Sequence, residues 1–343
     1  MSETETITLA DATALIEAAF RATGLPQAAA HSVAAALVAA EAEGQVGHGF
    51  SRLADYAAQA RSGKVNAAAV PESRMAHTTS VLVDAHHGFA YPALDLAVET
   101  GTRLAREYGT AAMMITRSHH CGALSVQVDR IARAGLIGFM CANTPAAMAP
   151  WGGKTPVFGT NPIAFAVPRA DAAPLVIDLS LSKVARGKIM NAKKQGKSEI
   201  PEGWALDSAG NPTTDPDAAL AGSMVPAGDA KGTALALMVE ILSAVVTGAN
   251  TSSEATSFFA AEGDPPGVGQ FLMAIAPPGG VDFGARLEGL LAQIDGQTGA
   301  RLPGERRLAC LLYTSPSPRD LIAHLVCRLR LEQGGGGGGG GGG

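Results

Sequence analysis

Ser80-Val81-Leu82-Val83-Asp84, Ala111-Ala112-Met113-Met114-Ile115-Thr116 and Leu136-Ile137-Gly138-Phe139-Met140-Cys141 decide the fold class. Each is a short apolar run, long enough for a buried strand and too short for a core helix. Between the first two, Pro92 to Glu107 places Leu94, Ala97, Val98 and Leu104 on one helical face. Between the second and third, Gly122 to Ala134 reads as a helix closed by Gly135. Further strands are expected at Ile163 to Val167, Leu175 to Leu179 and Phe271 to Ile275. Lys231 to Thr247 reads as a long apolar helix stopped by Gly248. Strands interleaved with helices predict an α/β (α+β) body.

Upstream, the pattern is helical. Thr8 can cap a helix with Leu9, Ala12, Leu15, Ile16, Ala19 and Phe20 in one stripe. A second, Ala-rich helix is expected from about Pro26 to Glu43, with Val33, Leu37 and Val38 on one face. A third is expected over Phe50 to Arg61, ending at Gly63. Val65 to Ser80 reads as a polar link. The expected organisation is a helical domain over residues 1–75 and an α/β domain over 76–309.

Residues 310–343 read differently. Cys310-Leu311-Leu312-Tyr313-Thr314-Ser315-Pro316-Ser317-Pro318-Arg319-Asp320 resembles a translated sequencing adapter, as does Leu325 to Leu329. The Gly334 to Gly343 run has no side chains to bury. The segment is therefore expected to be non-native and disordered.

Composition narrows function. With 47% hydrophobic and 17% charged residues, the chain can bury a core. A net charge of -5 without a basic run argues against binding nucleic acid. No apolar stretch is long enough to span a membrane. The absence of a signal-like leader and of metal-spaced cysteines predicts a reducing, cytoplasmic setting and no metal site. The usual fingerprints are missing too. No G-x-G-x-x-G follows a strand, and Asn191 to Ser198 lacks the first glycine of a P-loop and reads as a solvated loop.

What remains is a set of polar clusters among glycines. In Gly47-His48-Gly49-Phe50-Ser51-Arg52, a helix would put His48 and Arg52 on one face. An imidazole can exchange a proton with a carbonyl oxygen, and a guanidinium can hold a carboxylate by two bonds. A helix-start histidine beside a surface arginine would look the same. Ser118-His119-His120-Cys121-Gly122-Ala123 lies between a strand and a helix, where free N–H groups can receive an anion. A plain turn would also fit. Trp151 to Pro162 is a glycine-rich loop that is costly to order unless it shapes a site. Asp178-Leu179-Ser180 leaves a strand, and Lys231-Gly232 opens the long helix. A simple cap and a surface lysine are the plainer readings of these two.

Taken in order, these clusters resemble the malate/L-lactate dehydrogenase-like family of NAD(P)-dependent oxidoreductases. That family includes sulfolactate and ureidoglycolate dehydrogenases and the Δ1-piperideine-2-carboxylate/Δ1-pyrroline-2-carboxylate reductases. The resemblance is carried by Gly47-His48-Gly49 with Arg52, Ser118-His119-His120, Phe158-Gly159-Thr160-Asn161-Pro162, Asp178-Leu179-Ser180 and Val184-Ala185-Arg186-Gly187-Lys188. Pro201-Glu202-Gly203-Trp204, Pro212-Thr213-Thr214-Asp215-Pro216, Lys231-Gly232 and Arg301-Leu302-Pro303-Gly304 extend it.

The resemblance implies a non-Rossmann NAD(P) fold with a small N-terminal helical domain, and a homodimer. It implies hydride transfer between NAD or NADP and a small 2-oxo/2-hydroxy acid of malate/lactate type. A cyclic 2-imino acid is the alternative substrate. His48 would be the general acid. Arg52, Thr160, Arg186 and Gly187 would bind substrate. His120, Cys121, Gly122, Ala123, Leu124, Asp178, Leu179, Ser180, Lys231, Gly232, Gly304 and Arg306 would contact the dinucleotide.

This chain departs from the family's usual pattern at Gly47, where a serine is usual. The imidazole loses a hydroxyl partner there. Lys188 resembles the hydroxy-acid branch, whereas His119-His120 leans toward the imine reducers. A relative that binds the dinucleotide without turnover is a further reading.

Overall fold

The computed structural model describes residues 4–313 and 326–330. Elements are numbered in chain order. The first helices are α1 (Leu9–Arg21), α2 (Gln27–Ala42) and α3 (Leu53–Ser62). The Thr8 hydroxyl accepts from Asp11 N at 3.1 Å, so the expected cap forms. Ala12, Ile16 and Phe20 are buried as their spacing requires, but Leu15 faces outward at 61% exposure. β1 (Thr4–Thr8) precedes α1 and pairs antiparallel with β12 (Val326–Arg330).

The main sheet has seven strands: β2 (Glu72–His77), β3 (Ser80–Asp84), β4 (Thr110–Ser118), β5 (Ile137–Ala142), β6 (Ile163–Val167), β7 (Leu175–Leu179) and β11 (Val268–Ile275). Their order is β2-β3-β4-β11-β5-β6-β7. Among the described residues of this sheet, only β3 and β4 pair in parallel, with α4 (Ala90–Tyr108) as their crossover. Three two-residue strands, β8 (Ala205–Leu206), β9 (Pro212–Thr213) and β10 (Ser223–Met224), form a separate small sheet. The remaining helices are α5 (Leu124–Arg133), α6 (Arg186–Lys194), α7 (Pro216–Ala221), α8 (Ala230–Glu240), α9 (Phe283–Asp295) and α10 (Glu305–Tyr313).

Strand alternation divides the core into two layers. Val81, Val83, Met113, Ile115, Leu272 and Ala274 face one layer, with α1, α2, α4 and α5. Met114, Phe139, Phe271 and Met273 face the other, with Ala236 and Val239 of α8. The buried residues of α1 to α3 thus share a core with β3 and β4. A third cluster holds α6, α7 and β8 together through Ile189, Ile200, Ala205 and Ala219.

Several expectations need correction. Glu72–His77 is a strand although it reads as part of a link; its side chains are largely exposed, so an edge strand carries no apolar signal. Asn191–Lys194 is helical, the end of α6; Asn191, Lys193 and Lys194 are exposed as expected, but Ala192 is buried in the third cluster. The long helix widens to a π turn over Ile241–Val245. There Gly269 of β11 is pressed so close that an added Cβ would lie 1.9 Å from Ser243 O. Of the segment from 310 onward, 310–313 completes α10 and Val326–Arg330 is a strand, so neither stretch lacks structure. The glycine run lies outside the described residues. Among the described residues no helix is long and apolar enough to cross a membrane.

Candidate active site

His48 and Arg52 do not share one helix. Val46–His48 and Phe50–Arg52 are two single 3-10 turns hinged at Gly49. Glu41 Oε2 accepts from Phe50 N at 2.9 Å, and a Cβ on Gly49 would lie 2.2 Å from that oxygen. Only glycine lets α2 approach so closely. Burial raises the Glu41 pKa, with the Phe50 bond opposing it. The hinge folds the chain so that Arg52 Nε donates to Gly47 O at 2.7 Å. Arg52 then stands immediately before α3, without a side-chain capping bond.

The His48 ring stacks on that of His120, with centroids 5.2 Å apart and planes 18° from parallel. His48 Nδ1 is buried without a hydrogen-bond partner. Nothing lies within 4 Å of the space where a Gly47 side chain would stand. Burial first, and the Arg52 charge second, push the His48 pKa down to about 4. Arg52 Nη1 is also buried and unpartnered. The two groups the sequence singles out therefore stand together, each with unused hydrogen-bonding capacity.

Behind them lies a network the sequence reading missed. Tyr56 Oη is 2.5 Å from His120 Nδ1 and 3.2 Å from Tyr91 Oη. Burial raises the Tyr56 pKa, so the phenol stays neutral. A phenol donating to Nδ1 leaves the imidazole proton on Nε2. Gln59 Oε1 meets His119 Nε2 at 2.6 Å, and burial lowers the His119 pKa to about 3. Burial also holds His120 well below its ordinary value. The signal for Tyr56 and Gln59 was present: they continue the helical face that begins at Arg52.

His120, Cys121, Gly122, Ala123 and Leu124 are buried between β4 and α5. Gly122 has φ +69°, and a Cβ there would lie 2.6 Å from Tyr91 Oη. Burial pushes the Cys121 thiol up to about 12, so it is no nucleophile. The expectation of free N–H groups at this junction holds only in part. Ser125 N already donates to Asp178 Oδ2 at 2.8 Å. Ser125 Oγ donates to Glu43 Oε2, and Glu43 Oε1 pairs with Arg307 Nη1 at 2.7 Å. These bonds bring the end of β7 and the start of α10 to the start of α5.

The other expected residues form a second group. Thr160 O accepts from Leu181 N at 2.9 Å, and Leu181 O accepts from Ala227 N at 2.8 Å. Thr160 and Ser180 are thereby tied to the turn before Lys231 and Gly232. A Cβ on Gly232 would lie 2.1 Å from Ala227 O. Lys231, Asp178, Leu179 and Arg306 are exposed, while Ser180 and Gly304 are half-buried. Arg186 opens α6, donates to Leu220 O at 3.0 Å and has its pKa lowered by burial; Gly187 follows it with open space beside its Cα. Among the described residues, no hydrogen bond or ion pair joins Thr160, Arg186 or Lys231 to His48 or Arg52. Two surface depressions lie elsewhere, one of about 280 Å³ beside Lys188 and Trp204 and one of about 570 Å³ beside Val281 and Leu290. No cluster of three metal-ligating side chains occurs among the described residues.

Residues 7–311 match the family model described as malate/L-lactate dehydrogenase. The chain is 54% identical over 305 residues to a (2R)-3-sulfolactate dehydrogenase (NADP(+)) of Chromohalobacter salexigens, covering 88% of this chain and 91% of that one. It is 41% identical over 289 residues to a Δ1-pyrroline-2-carboxylate reductase of Burkholderia ambifaria, covering 83% and 84%. Among solved structures, it superposes on Δ1-piperideine-2-carboxylate reductase from Pseudomonas syringae with a TM-score of 0.86 at 35% identity. That match covers 94% of this chain and 96% of the other.

Proposed function

Since the chain belongs to the malate/L-lactate dehydrogenase family of NAD(P)-dependent oxidoreductases, we propose that it interconverts a small 2-hydroxy acid and the corresponding 2-oxo acid. The carrying observation is the pair of unused groups: the buried Nδ1 of His48 and the Nη1 of Arg52, neither with a hydrogen-bond partner. The first substrate to test is 3-sulfolactate with NADP, because the relative of that name is 54% identical. A cyclic 2-imino acid is the second reading, favoured by the reductase relatives and by the His119-His120 pair.

The bound dinucleotide supplies or accepts the hydride. Its anionic groups suit Lys231 and Arg306, which are exposed, and the half-buried Ser180 and Gly304. Asp178 and Leu179 would form the rim, and buried His120 to Leu124 the floor, with Gly232 allowing the close turn. Arg52 takes the substrate carboxylate. His48 Nε2 takes the proton from the substrate hydroxyl during oxidation and returns it to the carbonyl oxygen during reduction. In the free enzyme His48 is neutral and ready as a base. A carboxylate on Arg52 offsets the charge that disfavours protonated His48, so substrate binding itself raises the affinity of His48 for a proton. Thr160, Arg186 and Gly187 are assigned to the far side of the substrate.

The reading includes a cytoplasmic homodimer. Leu235, Leu237, Met238, Ile241, Val245 and Val246 leave an apolar face open on α8 and its π turn. Trp151, also exposed, is fastened beside it by Trp151 N donating to Thr233 Oγ1 at 2.8 Å. A continuous apolar surface of this kind suits a second copy. The free, buried Cys121 and Cys141 suit a reducing compartment.

The test follows reduced nicotinamide by absorbance, with NADH and NADPH offered against sulfopyruvate, pyruvate, oxaloacetate and Δ1-pyrroline-2-carboxylate. Fastest turnover of an oxo acid supports the proposal. Fastest turnover of the cyclic imine replaces it by the second reading. Saturable cofactor binding without any turnover refutes both as catalytic readings.

A further inference from the structure

The segment 257–261 crosses the site as a strap, and it is fastened from α3. Gln59 Nε2 donates to Phe258 O at 2.7 Å. Lys64 Nζ donates to Ser257 O at 2.7 Å and to Ala260 O at 3.1 Å. Ser62 Oγ donates to Ala261 O at 2.5 Å. Phe258 is buried, with its ring 5.5 Å from that of His119 and 5.0 Å from that of His120. The next residue, Phe259, points the other way and is 47% exposed. An exposed phenylalanine on so firmly held a backbone invites a reason. The reason on the page is Arg52, whose guanidinium carbon lies 4.7 Å from the centroid of the Phe259 ring.

A guanidinium can bind a carboxylate by its Nε side or by its Nη1–Nη2 end. Here Nε is already committed to Gly47 O. One planar face is committed to Phe259. Nη1 is buried and has no partner. We propose that Phe259 is a positioning residue for Arg52, holding the guanidinium so that only its Nη1–Nη2 end is offered to the substrate carboxylate. The proposal rests on Arg52 being the carboxylate clamp and adds the group that aims it. Preorganisation of this sort acts on substrate affinity, because the ordering cost of the clamp is met before the ligand arrives.

The experiment uses the full chain with three variants: Phe259→Leu, Phe259→Tyr and Arg52→Gln. Steady-state kinetics are run with sulfopyruvate and NADPH, and oxamate, an unreactive 2-oxo acid isostere, is used to measure carboxylate affinity. Leucine keeps the apolar contact but removes the ring's attraction for the cation. The expected effect of Phe259→Leu is a rise of about two- to fivefold in KM and in the oxamate Kd, the range of an exposed cation–π contact. The loss should fall on KM rather than kcat, with NADPH affinity retained, and Phe259→Tyr should restore both constants. If Phe259→Leu leaves KM unchanged while Arg52→Gln raises it, the positioning role is refuted and the clamp stands. If Phe259→Leu weakens NADPH binding as much as oxamate binding, the residue merely supports the strap and the proposal fails. If Arg52→Gln also leaves both constants unchanged, the clamp reading itself is wrong.

Discussion

Acid is the perturbation that tests the site most directly. In oxidation His48 must be neutral, and kcat/KM reports the free enzyme's ionisations. An ordinary histidine has a pKa near 6.5, whereas burial and Arg52 push His48 down to about 4. At pH 5.5 an ordinary imidazole would be roughly one-tenth neutral, while His48 would be almost wholly neutral. The two cases differ by about tenfold in relative kcat/KM at that pH. The assay is kcat/KM for 3-sulfolactate oxidation from pH 4 to pH 8, scaled to its plateau. The expected curve stays flat down to about pH 5 and falls only near pH 4. Reduction, which needs the protonated ring, should instead lose kcat/KM as pH rises above about 4. An acid limb centred near pH 6.5 in oxidation would refute the buried, Arg52-coupled base. The fold must be checked at each pH, because the same burial has a cost. His48, His119 and His120 all hold protons less tightly folded than unfolded. Their contribution to stability is therefore full above about pH 6.5 and falls as pH drops from there toward about 3, since the unfolded chain gains protons first.

Other perturbations have defined outcomes. Gly122→Ala puts a methyl against Tyr91 Oη at a residue with φ +69°, and should lower stability by about 1–3 kcal/mol in a denaturant melt. Glu41→Ala removes the acceptor of Phe50 N; a loss of about 1 kcal/mol is expected, with kcat falling more than cofactor affinity. Tyr56→Phe removes the partner of His120 Nδ1 and should lower kcat/KM without changing the secondary structure seen by circular dichroism. Ile241→Asp places a charge on the open apolar face, at the start of the π turn that follows α8; sedimentation velocity should find a monomer, and an unchanged dimer would locate the interface elsewhere.

The polarity pattern was enough to identify most of the secondary structure. Ser80–Asp84, Ile163–Val167 and Leu175–Leu179 are strands with the expected bounds, because each is short, apolar and punctuated. Gly63, at φ +82°, ends α3 where a left-handed residue was expected. The polar edge strand Glu72–His77 was illegible because its pairing is made by backbone groups, which every residue carries.

The site divides in the same way. The sequence by itself determined which residue types were on offer, since an imidazole and a guanidinium separated by glycines suit a carbonyl beside a carboxylate. It could not determine how they meet. That depends on the approach of Glu41 to Gly49, on the His48–His120 stack, and on a strap about two hundred residues downstream that turns Phe259 onto Arg52. Nor could it show that Asp178 occupies an N–H of α5. Local elements are fixed by period and punctuation within a few turns of chain. Contacts between distant segments depend on sheet order and register, and on glycines whose missing Cβ matters only once another backbone has arrived.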